Sequence, residues 1–256
     1  MSKVILISID GMRPDGFLTC GHPFAQEMMK LGSYSLKART VYPSITLPCH
    51  MSLFHSVPPE RHGILNNTYV PMVRPVTGLM EQLQHFGKRN AMFYAWEPLR
   101  NISQPDDLQY AEFQWSYAEE NVDCYLTERA LWRIRKSEPD FVFLYLVETD
   151  EKGGHDSGWM SETYLKCIYN AIDCVKKVYE AFGDTYRLII TADHGGHDRI
   201  HGTDLPEDMT IPQFYIGPEF TPGKQLENLS ILDTAPTIAK LMDVPPCRDW
   251  EGKPVY

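Results

Sequence analysis

Five short segments of this chain carry side chains of the kinds that bind divalent cations and supply a nucleophile. The residues concerned are Asp10, Thr46, Asp150, His155, Asp193, His194 and His201. Carboxylate oxygens and imidazole nitrogens together suit a borderline cation such as zinc or manganese. Six Asp and His side chains around one hydroxyl are about what two divalent cations and an activated nucleophile require. The sequence therefore predicts a two-metal site.

The elements that must position these residues follow an alternating pattern. Apolar β-rich runs alternate with helical patterns, which predicts βαβ units and a mostly parallel sheet. The predicted strands span residues 4–9, 90–96, 141–147, 187–191 and 213–216. Helices are predicted over residues 118–136, from Ser161 as N-cap through Phe182, and over 234–242 with Asp233 as cap. We predict one α/β domain over residues 1–256, with a mostly parallel central sheet flanked by helices.

Three of the candidate ligands follow directly from predicted strands. Asp10 ends the first strand, Asp150 follows the third and Asp193 follows the fourth. The carboxyl ends of parallel strands meet at one edge of a sheet, where open α/β folds bind their ligands. We therefore expect these carboxylates to converge, although an Asp before a glycine is by itself an ordinary turn.

The composition indicates a globular protein with an acidic balance. At 256 residues and 43% hydrophobic content, the chain can bury a substantial core. Its 34 acidic and 24 basic residues give a net charge of −10, which argues against a nucleic-acid duplex or an anionic membrane as the main partner. A small phosphorylated substrate would therefore depend on local cations, which bound metals would supply. The oligomeric state stays open.

The cysteines and the first residues of the chain predict a cytoplasmic location. The six cysteines show neither the close pairs of a zinc ribbon nor the density of a secreted disulfide scaffold, so we expect reduced thiols. The first strand-like run begins at Val4, which leaves no room for a signal peptide ahead of it. No apolar run approaches the ~20 residues that a membrane span requires.

Six motifs occur in a definite order over nearly the whole chain. They are Asp10-Gly11, Pro43-Ser44-Ile45-Thr46-Leu47-Pro48-Cys49-His50, Pro59-Glu60-Arg61-His62-Gly63-Ile64-Leu65-Asn66-Asn67, the segment 150–155, Asp193-His194-Gly195 and His201-Gly202. In this order they resemble the type I phosphodiesterase and nucleotide pyrophosphatase family of the alkaline phosphatase superfamily. An ordered set of this kind is much more specific than any one of its motifs.

That resemblance implies an alkaline phosphatase-like fold and hydrolysis of phosphodiester or pyrophosphate bonds, with Thr46 as the nucleophile. A threonine hydroxyl is a poor nucleophile at neutral pH, but coordination to a divalent cation stabilises its alkoxide. One metal, expected to be zinc with manganese as the alternative, would be held by Asp10, Thr46, Asp193 and His194. The second would be held by Asp150, His155 and His201. Asn67 would donate a hydrogen bond to a phosphoryl oxygen.

Two of the implied ligands have competitors. The family places three residues between its Asp and its His, whereas Asp150 and His155 have four between them. Either a bulge keeps Asp150 as the ligand or Glu151 replaces it, and we prefer Asp150 because it follows directly from the strand. For the last ligand we prefer His201 over His197, because a glycine and then a strand follow it as in the family.

These motifs say less about the substrate than about the reaction. Leu47 stands where nucleotide pyrophosphatases usually carry Phe, which leaves a preference for nucleotides open. The region 93–117 is rich in aromatic residues and could form a small lid that stacks on a leaving group, or could pack against the core.

Other functions compete with phosphodiester hydrolysis on the same site. A phosphomonoesterase or phosphonate hydrolase would use the same two metals, but no arginine can be assigned as a phosphate clamp, which favours diesters. A non-catalytic, metal-stabilised binding protein is a further alternative, and the joint presence of Thr46 and Asn67 argues against it. A sulfatase is disfavoured because Cys49 lacks the Pro and Arg of the Cys-x-Pro-x-Arg motif.

Overall fold

The first apolar run of the chain forms the central strand of a large sheet. The computed structural model describes residues 2–256. The strands are β1 (Lys3–Ile9), β2 (Ser33–Arg39), β3 (Asn90–Tyr94), β4 (Tyr110–Phe113), β5 (Phe141–Leu146), β6 (Tyr186–Thr191) and β7 (Thr210–Ile216). Within the described residues, these seven strands lie in the order β2-β7-β6-β1-β5-β3-β4.

Most strand pairs in the sheet are parallel. β1 pairs in parallel with both β5 and β6, and β3 pairs in parallel with β5 and β4. β7 runs antiparallel to β6, and β2 runs antiparallel to β7. Every residue of β5 is buried, because helices cover both faces of a parallel sheet and its strands then become continuous apolar runs. The predicted mostly parallel α/β architecture is confirmed.

Helices of very different lengths connect and cover the strands. They are α1 (Pro14–Thr19), α2 (Pro23–Leu31), α3 (Thr46–His55), α4 (Pro59–His62), α5 (Leu79–His85), α6 (Val122–Ser137), α7 (Glu162–Phe182), α8 (Pro206–Met209) and α9 (Thr234–Leu241), with a π-helix at Thr149–Ser157. α7 packs against α1, α2 and α6, whereas α3 packs against α5 and α9. The helices thus flank the sheet in two groups, as predicted. Among residues 2–256, no helix combines the length and the apolar character needed to cross a bilayer.

The predicted helices are present, with shifts at their ends. The Ser161 hydroxyl accepts a hydrogen bond from the Tyr164 N–H at 3.2 Å, which confirms this residue as the N-cap of α7. α6 begins at Val122 rather than at residue 118, because a 3-10 helix occupies Ser116–Ala118. β3 ends at Tyr94 because Trp96 is the N-cap of another 3-10 helix.

The sequence pattern did not predict the two edge strands, β2 and β4. β2 contains Ser, Lys and Arg, and β4 is four residues long with an exposed face. Short and partly charged strands are typical of sheet edges, where they discourage pairing with another chain. Their polar composition hides them from a search for apolar runs. The strand-forming contacts with β7 and β3 are therefore what define them.

The aromatic region 93–117 contributes both to the sheet and to the surface. It contains β4, which extends the sheet, and 3-10 helices at Glu97–Ile102 and Pro105–Asp107. Trp115 and Tyr117 remain 59% and 75% exposed, and their ring centroids lie 5.7 Å apart. Closure of this region as a lid over a substrate stays a prediction.

Candidate metal centre

Three adjacent strands deliver the three candidate carboxylates to one edge of the sheet. Asp10 directly follows β1, and Asp193 comes two residues after the end of β6. Asp150 lies in the first turn of the π-helix that follows β5. Because β6, β1 and β5 are neighbours in the sheet and run in parallel, their carboxyl ends coincide. The expected convergence of these residues is what the structure shows.

One group of side chains surrounds the Nε2 atom of His194. This atom lies 3.1 Å from the Thr46 hydroxyl, 3.3 Å from Asp10 Oδ1 and 3.3 Å from Asp193 Oδ2. All four side chains are buried. We call Asp10, Thr46, Asp193 and His194 the first cluster.

A second group lies next to the first. His155 Nε2 is 3.4 Å from Asp150 Oδ2, and His201 Nε2 is 3.8 Å from Asp150 Oδ1. We call these three residues the second cluster. The His201 ring stacks on the His194 ring, with centroids 3.9 Å apart and an interplanar angle of 13°. The two clusters are therefore in direct contact.

Backbone carbonyls orient all three imidazoles. The Nδ1 atoms of His194, His201 and His155 lie 2.7, 2.9 and 3.0 Å from the carbonyl oxygens of Gly195, Ser44 and Arg199. A carbonyl can only accept, so each Nδ1 must carry the proton and each Nε2 must present a lone pair. Such hydrogen bonds are what fixes the tautomer of a metal-binding histidine.

Apart from the Thr46 hydroxyl, which can donate to His194 Nε2, the two clusters bring hydrogen-bond acceptors together. Asp10 Oδ1, Asp150 Oδ1 and Asp193 Oδ2 are buried and make no hydrogen bond within the described residues. They face imidazole nitrogens that themselves present lone pairs. Buried acceptors without partners are costly, and cations bound between them would compensate the cost. The residues of both clusters thus fit divalent metal ions.

The protonation behaviour of the site reflects the same crowding. Burial, followed by the charges of Asp193 and Asp150, raises the pKa of Asp10 well above its usual value. Burial also raises the pKa of Asp150 to about 6. Burial and the neighbouring His194 lower the pKa of His201 to about 3, so this ring stays neutral at pH 7. A neutral imidazole is the form that binds a metal.

A π-helix accommodates the residue inserted between Asp150 and His155. Its hydrogen bonds run from residue i to residue i+5, so residues five apart lie on the same face. Asp150 consequently faces His155, whereas Glu151 points to Ser116, whose hydroxyl donates to Glu151 Oε1 at 3.0 Å. The sequence left two alternatives, a bulge that keeps Asp150 in place or its replacement by Glu151. The structure contains the bulge, with Asp150 beside His155.

His197 and His201 have different surroundings. His197 Nδ1 lies 2.7 Å from Asp208 Oδ1, outside both clusters. His201 lies against His194 and Asp150, as described above. The structure thus brings together the residues that the sequence analysis preferred, with Asp150 rather than Glu151 and His201 rather than His197. That these residues bind metal stays a prediction, developed below.

Asn67 lies beside the N-terminus of α3, the helix that begins with Thr46. Its side-chain Oδ1 accepts a hydrogen bond from the Leu47 N–H at 3.0 Å. This contact occupies the amide oxygen, so the NH₂ group is the part of the side chain that remains as a donor. Pro48 is tolerated in α3 because the N–H groups of a first helical turn have no intrahelical partner.

Tyr145 is a residue of the site that the sequence pattern did not indicate. It is fully buried in β5, and its hydroxyl donates to Asp10 Oδ2. Asp10 Oδ1 is thereby left as the oxygen that faces His194. A tyrosine within an apolar strand looks like core packing, and its one signal is that a buried hydroxyl needs a partner.

Similarity to known proteins agrees with this geometry. Residues 112–246 match the Metalloenzyme superfamily. The chain belongs to the metalloenzyme superfamily. Residues 4–123 match the family described as Type I phosphodiesterase / nucleotide pyrophosphatase. The resemblance inferred from the motifs of this chain is therefore confirmed.

Curated relatives of this chain are longer proteins. Ectonucleotide pyrophosphatase/phosphodiesterase family member 1 from Homo sapiens is 29% identical over 217 residues, which cover 75% of this chain and 23% of that protein. Venom phosphodiesterase 2 from Crotalus adamanteus is 25% identical over 221 residues, covering 76% of this chain and 27% of that protein. The chain thus spans about a quarter of the length of these relatives.

Solved structures share the fold. Murine ectonucleotide pyrophosphatase / phosphodiesterase 5, as an inactive variant in complex with AMP, superimposes with a TM-score of 0.83 at 16% identity, covering 99% of this chain and 98% of that one. A 2-O GAG sulfatase gives a TM-score of 0.78 at 14% identity, covering 99% of this chain and 73% of that one. These likenesses confirm the single α/β domain of the alkaline phosphatase type.

Proposed function

We propose that this chain hydrolyses phosphodiester or pyrophosphate bonds in a small phosphorylated substrate, with two divalent metal ions and Thr46 as the nucleophile. The observation that carries the proposal is the position of the Thr46 hydroxyl. It lies at the N-terminus of α3 and 3.1 Å from His194 Nε2. The same nitrogen lies 3.3 Å from Asp10 Oδ1 and from Asp193 Oδ2, two buried oxygens that lack donors. A structural metal site would need no hydroxyl there.

The two clusters would each hold one ion. Ligand atoms of Asp10, Asp193 and His194 lie close together, and so do those of Asp150, His194 and His201. We assign His194 to the ion of the first cluster, together with the Thr46 oxygen. Asp150 and His201 would then hold the second ion with His155, whose Nε2 lies 3.4 Å from Asp150 Oδ2. When bound, such ions stabilise an alkoxide and a hydroxide at neutral pH and neutralise charge on a phosphoryl group. Zinc suits this mixture of nitrogen and oxygen ligands, and manganese is the alternative.

The protein side chains would position the reacting groups. Thr46 Oγ1 would attack phosphorus in line with the leaving oxygen, so that a new P–O bond forms as the bond to the leaving group breaks. Water would then hydrolyse the resulting ester of phosphothreonine, which releases the phosphate with its remaining substituent and restores the hydroxyl. Asn67 would donate from its amide nitrogen to a phosphoryl oxygen, because its amide oxygen is held by the Leu47 N–H.

The charges next to the site support a diester over a monoester. Arg13 lies beside the first cluster, but its guanidinium binds Asp15 and the Gly196 carbonyl oxygen. A monoester dianion requires more positive charge than a diester anion. The murine relative binds AMP, which supports a nucleotide-sized substrate for this chain as well, although Leu47 replaces the usual Phe.

A comparison of substrates tests the proposal. The protein, loaded with zinc or with manganese, would be assayed with bis-p-nitrophenyl phosphate, p-nitrophenyl phosphate and a p-nitrophenyl phosphonate. We expect kcat/KM to be highest for the diester. A clear preference for the monoester would assign the site to a phosphomonoesterase instead, and no turnover in a protein with both ions bound would support a binding protein.

We also propose that the protein works in the cytoplasm. Within residues 2–256 all six cysteines are free thiols, which supports a reducing compartment. Fractionation of the source cells with an antibody against the protein tests this. Recovery of the protein outside the cell would contradict it.

A further inference from the structure

The indole of Trp159 lies among the candidate ligands although it offers no ligand atom. Only 7% of the residue is exposed. Its ring centroid is 5.4 Å from that of His155, at an interplanar angle of 85°, and 5.9 Å from that of His201, at 63°. Edge-on contacts of this kind favour one mutual orientation of aromatic rings. One indole therefore contacts both imidazoles of the second cluster.

Two glycines allow the indole to approach the ligand-bearing backbone. A Cβ atom on Gly154 would lie 2.5 Å from Cζ2 of the indole, and a Cβ atom on Gly196 would lie 2.2 Å from Cε2. Both distances are far below normal contact, so only glycine fits at either position. Gly154 directly precedes His155, and Gly196 comes two residues after His194. The indole thus packs against backbone that lies next to a candidate ligand of each cluster.

A hydrogen bond connects the same indole to the segment of Asp10. The Trp159 Nε1–H donates to the Gly11 carbonyl oxygen at 3.0 Å, and the Tyr164 hydroxyl donates to the same oxygen at 2.8 Å. Gly11 directly follows Asp10, and its own N–H donates to Asp193 Oδ1 at 3.2 Å. Trp159 therefore contacts four segments that carry candidate ligands.

His155 depends on such support more than the other imidazoles do. Its side chain is 43% exposed, whereas that of His194 is fully buried and that of His201 is 9% exposed. It also lies in a π-helix, directly after two glycines. Apart from its contacts with Asp150, the Arg199 carbonyl oxygen and the tilted His201 ring, the His155 ring rests on the indole.

We propose that Trp159 is a positioning residue of the two-metal site, which holds His155 and His201 at the separation that the second metal ion requires. The inference rests on the proposed function, since it assumes that the second cluster binds an ion. It assigns to a buried tryptophan the role that hydrogen-bonding partners of metal ligands usually have. Loss of such partners typically lowers metal affinity by about 10–100-fold.

A cobalt titration of the metal-free protein tests this role. Equilibrium dialysis and the visible absorption of Co²⁺ would report how tightly each of two ions binds. We expect Trp159→Leu to bind one of the two ions about 10–100-fold more weakly than the wild type. Trp159→Phe keeps a ring against the imidazoles and loses only the Nε1–H donor, so its loss should be smaller.

Trp250→Leu provides the matched control. Trp250 is 9% exposed and donates its Nε1–H to a backbone carbonyl, that of Thr77, at 2.8 Å. It matches Trp159 in burial and hydrogen bonding, and it contacts neither cluster. We expect Trp250→Leu to lower the thermal stability of the metal-free protein while Co²⁺ affinity stays unchanged.

Several outcomes would overturn the inference. Equal Co²⁺ affinity for the wild type and Trp159→Leu would do so, and so would an equal loss in Trp250→Leu, which would indicate general destabilisation. If Trp159→Leu does not fold, Gly154→Ala serves instead, since its Cβ would displace the indole. Unchanged Co²⁺ affinity of Gly154→Ala would also overturn the inference. A wild-type protein that binds fewer than two ions would instead overturn the proposed function, which separates the two failures.

Discussion

At the scale of single residues, the proton on each imidazole determines what the site can hold. Backbone carbonyls accept from Nδ1 of all three histidines in the two clusters, which leaves three Nε2 lone pairs facing carboxylates. Apart from the Thr46 hydroxyl beside His194, acceptors there face acceptors, and a cation bound between them would satisfy them. The same reasoning separates Asp10 Oδ1, which lacks a donor, from Asp10 Oδ2, which Tyr145 satisfies.

Thr46 is predicted to be essential for turnover and dispensable for folding. Thr46→Ala should lower kcat for bis-p-nitrophenyl phosphate by about 10³-fold or more, because no other hydroxyl occupies its place. Metal content should change little, since the carboxylates and imidazoles remain. Thr237→Ala is the control, as Thr237 is also fully buried in a helix but lies in α9. Full activity of Thr46→Ala would refute the nucleophile assignment.

The two competing histidines give opposite predictions. His201→Asn should remove one of two bound metal ions, because Asp150 and His155 alone are a poor binding set. His197→Asn should keep both ions, since His197 pairs with Asp208 instead. Metal analysis by inductively coupled plasma mass spectrometry after dialysis measures both. If His197→Asn loses an ion and His201→Asn does not, His197 rather than His201 is the ligand.

At the scale of elements, the ends of β1, β5 and β6 place the carboxylates, and the segments that follow them set the spacing. The π-helix after β5 is the least regular of these segments. It absorbs one residue by widening a turn, and π-helical turns often occur at functional sites. α3 plays the complementary role, because its first residue is Thr46 and Asn67 binds the N–H of its second.

Shortening the π-helix should preserve the second cluster. Deletion of Lys152, whose side chain is 40% exposed, would place Asp150 and His155 four residues apart, which is the one-face spacing of an α-helix. We expect such a variant to retain two metal ions and activity within about tenfold of the wild type. Insertion of an alanine after Lys152 should abolish binding of the second ion. If the deletion removes the ion and the insertion does not, the π-helix is not what sets the spacing.

At the scale of the whole molecule, the protein buries titratable groups outside the first and second clusters as well as within them. His55, at the end of α3, is such a group. Its Nδ1–H donates to the Met51 carbonyl oxygen at 2.9 Å, and burial lowers its pKa to about 4. Groups of this kind connect folding stability to pH independently of any metal.

The burial of His55 predicts a loss of stability in acid. The unfolded chain takes up a proton at a pKa of about 6.5, whereas the folded protein does so only near pH 4. The contribution of neutral His55 is therefore fully present above about pH 6.5 and is lost as the pH falls through this window. The shift corresponds to about 3 kcal/mol at most.

Urea unfolding of the metal-free protein at pH 7 and pH 4.5 checks this expectation. His55→Asn, whose amide can still donate to Met51, should lose about 2 kcal/mol less than the wild type between the two values. His85→Asn is the control, because the side chain of His85 is 56% exposed. Identical pH dependence of the wild type and His55→Asn would contradict the prediction.

Those parts of this protein that depend on local patterns can be predicted from its amino-acid sequence. Apolar runs that end in Asp10, in Asp193 or shortly before Asp150 predict strands with carboxylates at one sheet edge, because strand formation and burial follow from short-range composition. The ordered motifs around Thr46 and Asn67 were equally visible. The family, the α/β fold and the set of residues that meet at the site could all be predicted on this basis.

Features that depend on contacts between distant segments could be identified from the folded structure alone. It placed Asp150 rather than Glu151 beside His155, because a π-helix can absorb the additional residue. It also brought Trp159 against Gly11 and Tyr145 against Asp10, contacts that join residues more than 100 positions apart in the chain. Such contacts depend on how packed elements meet, and no short stretch of sequence carries that information.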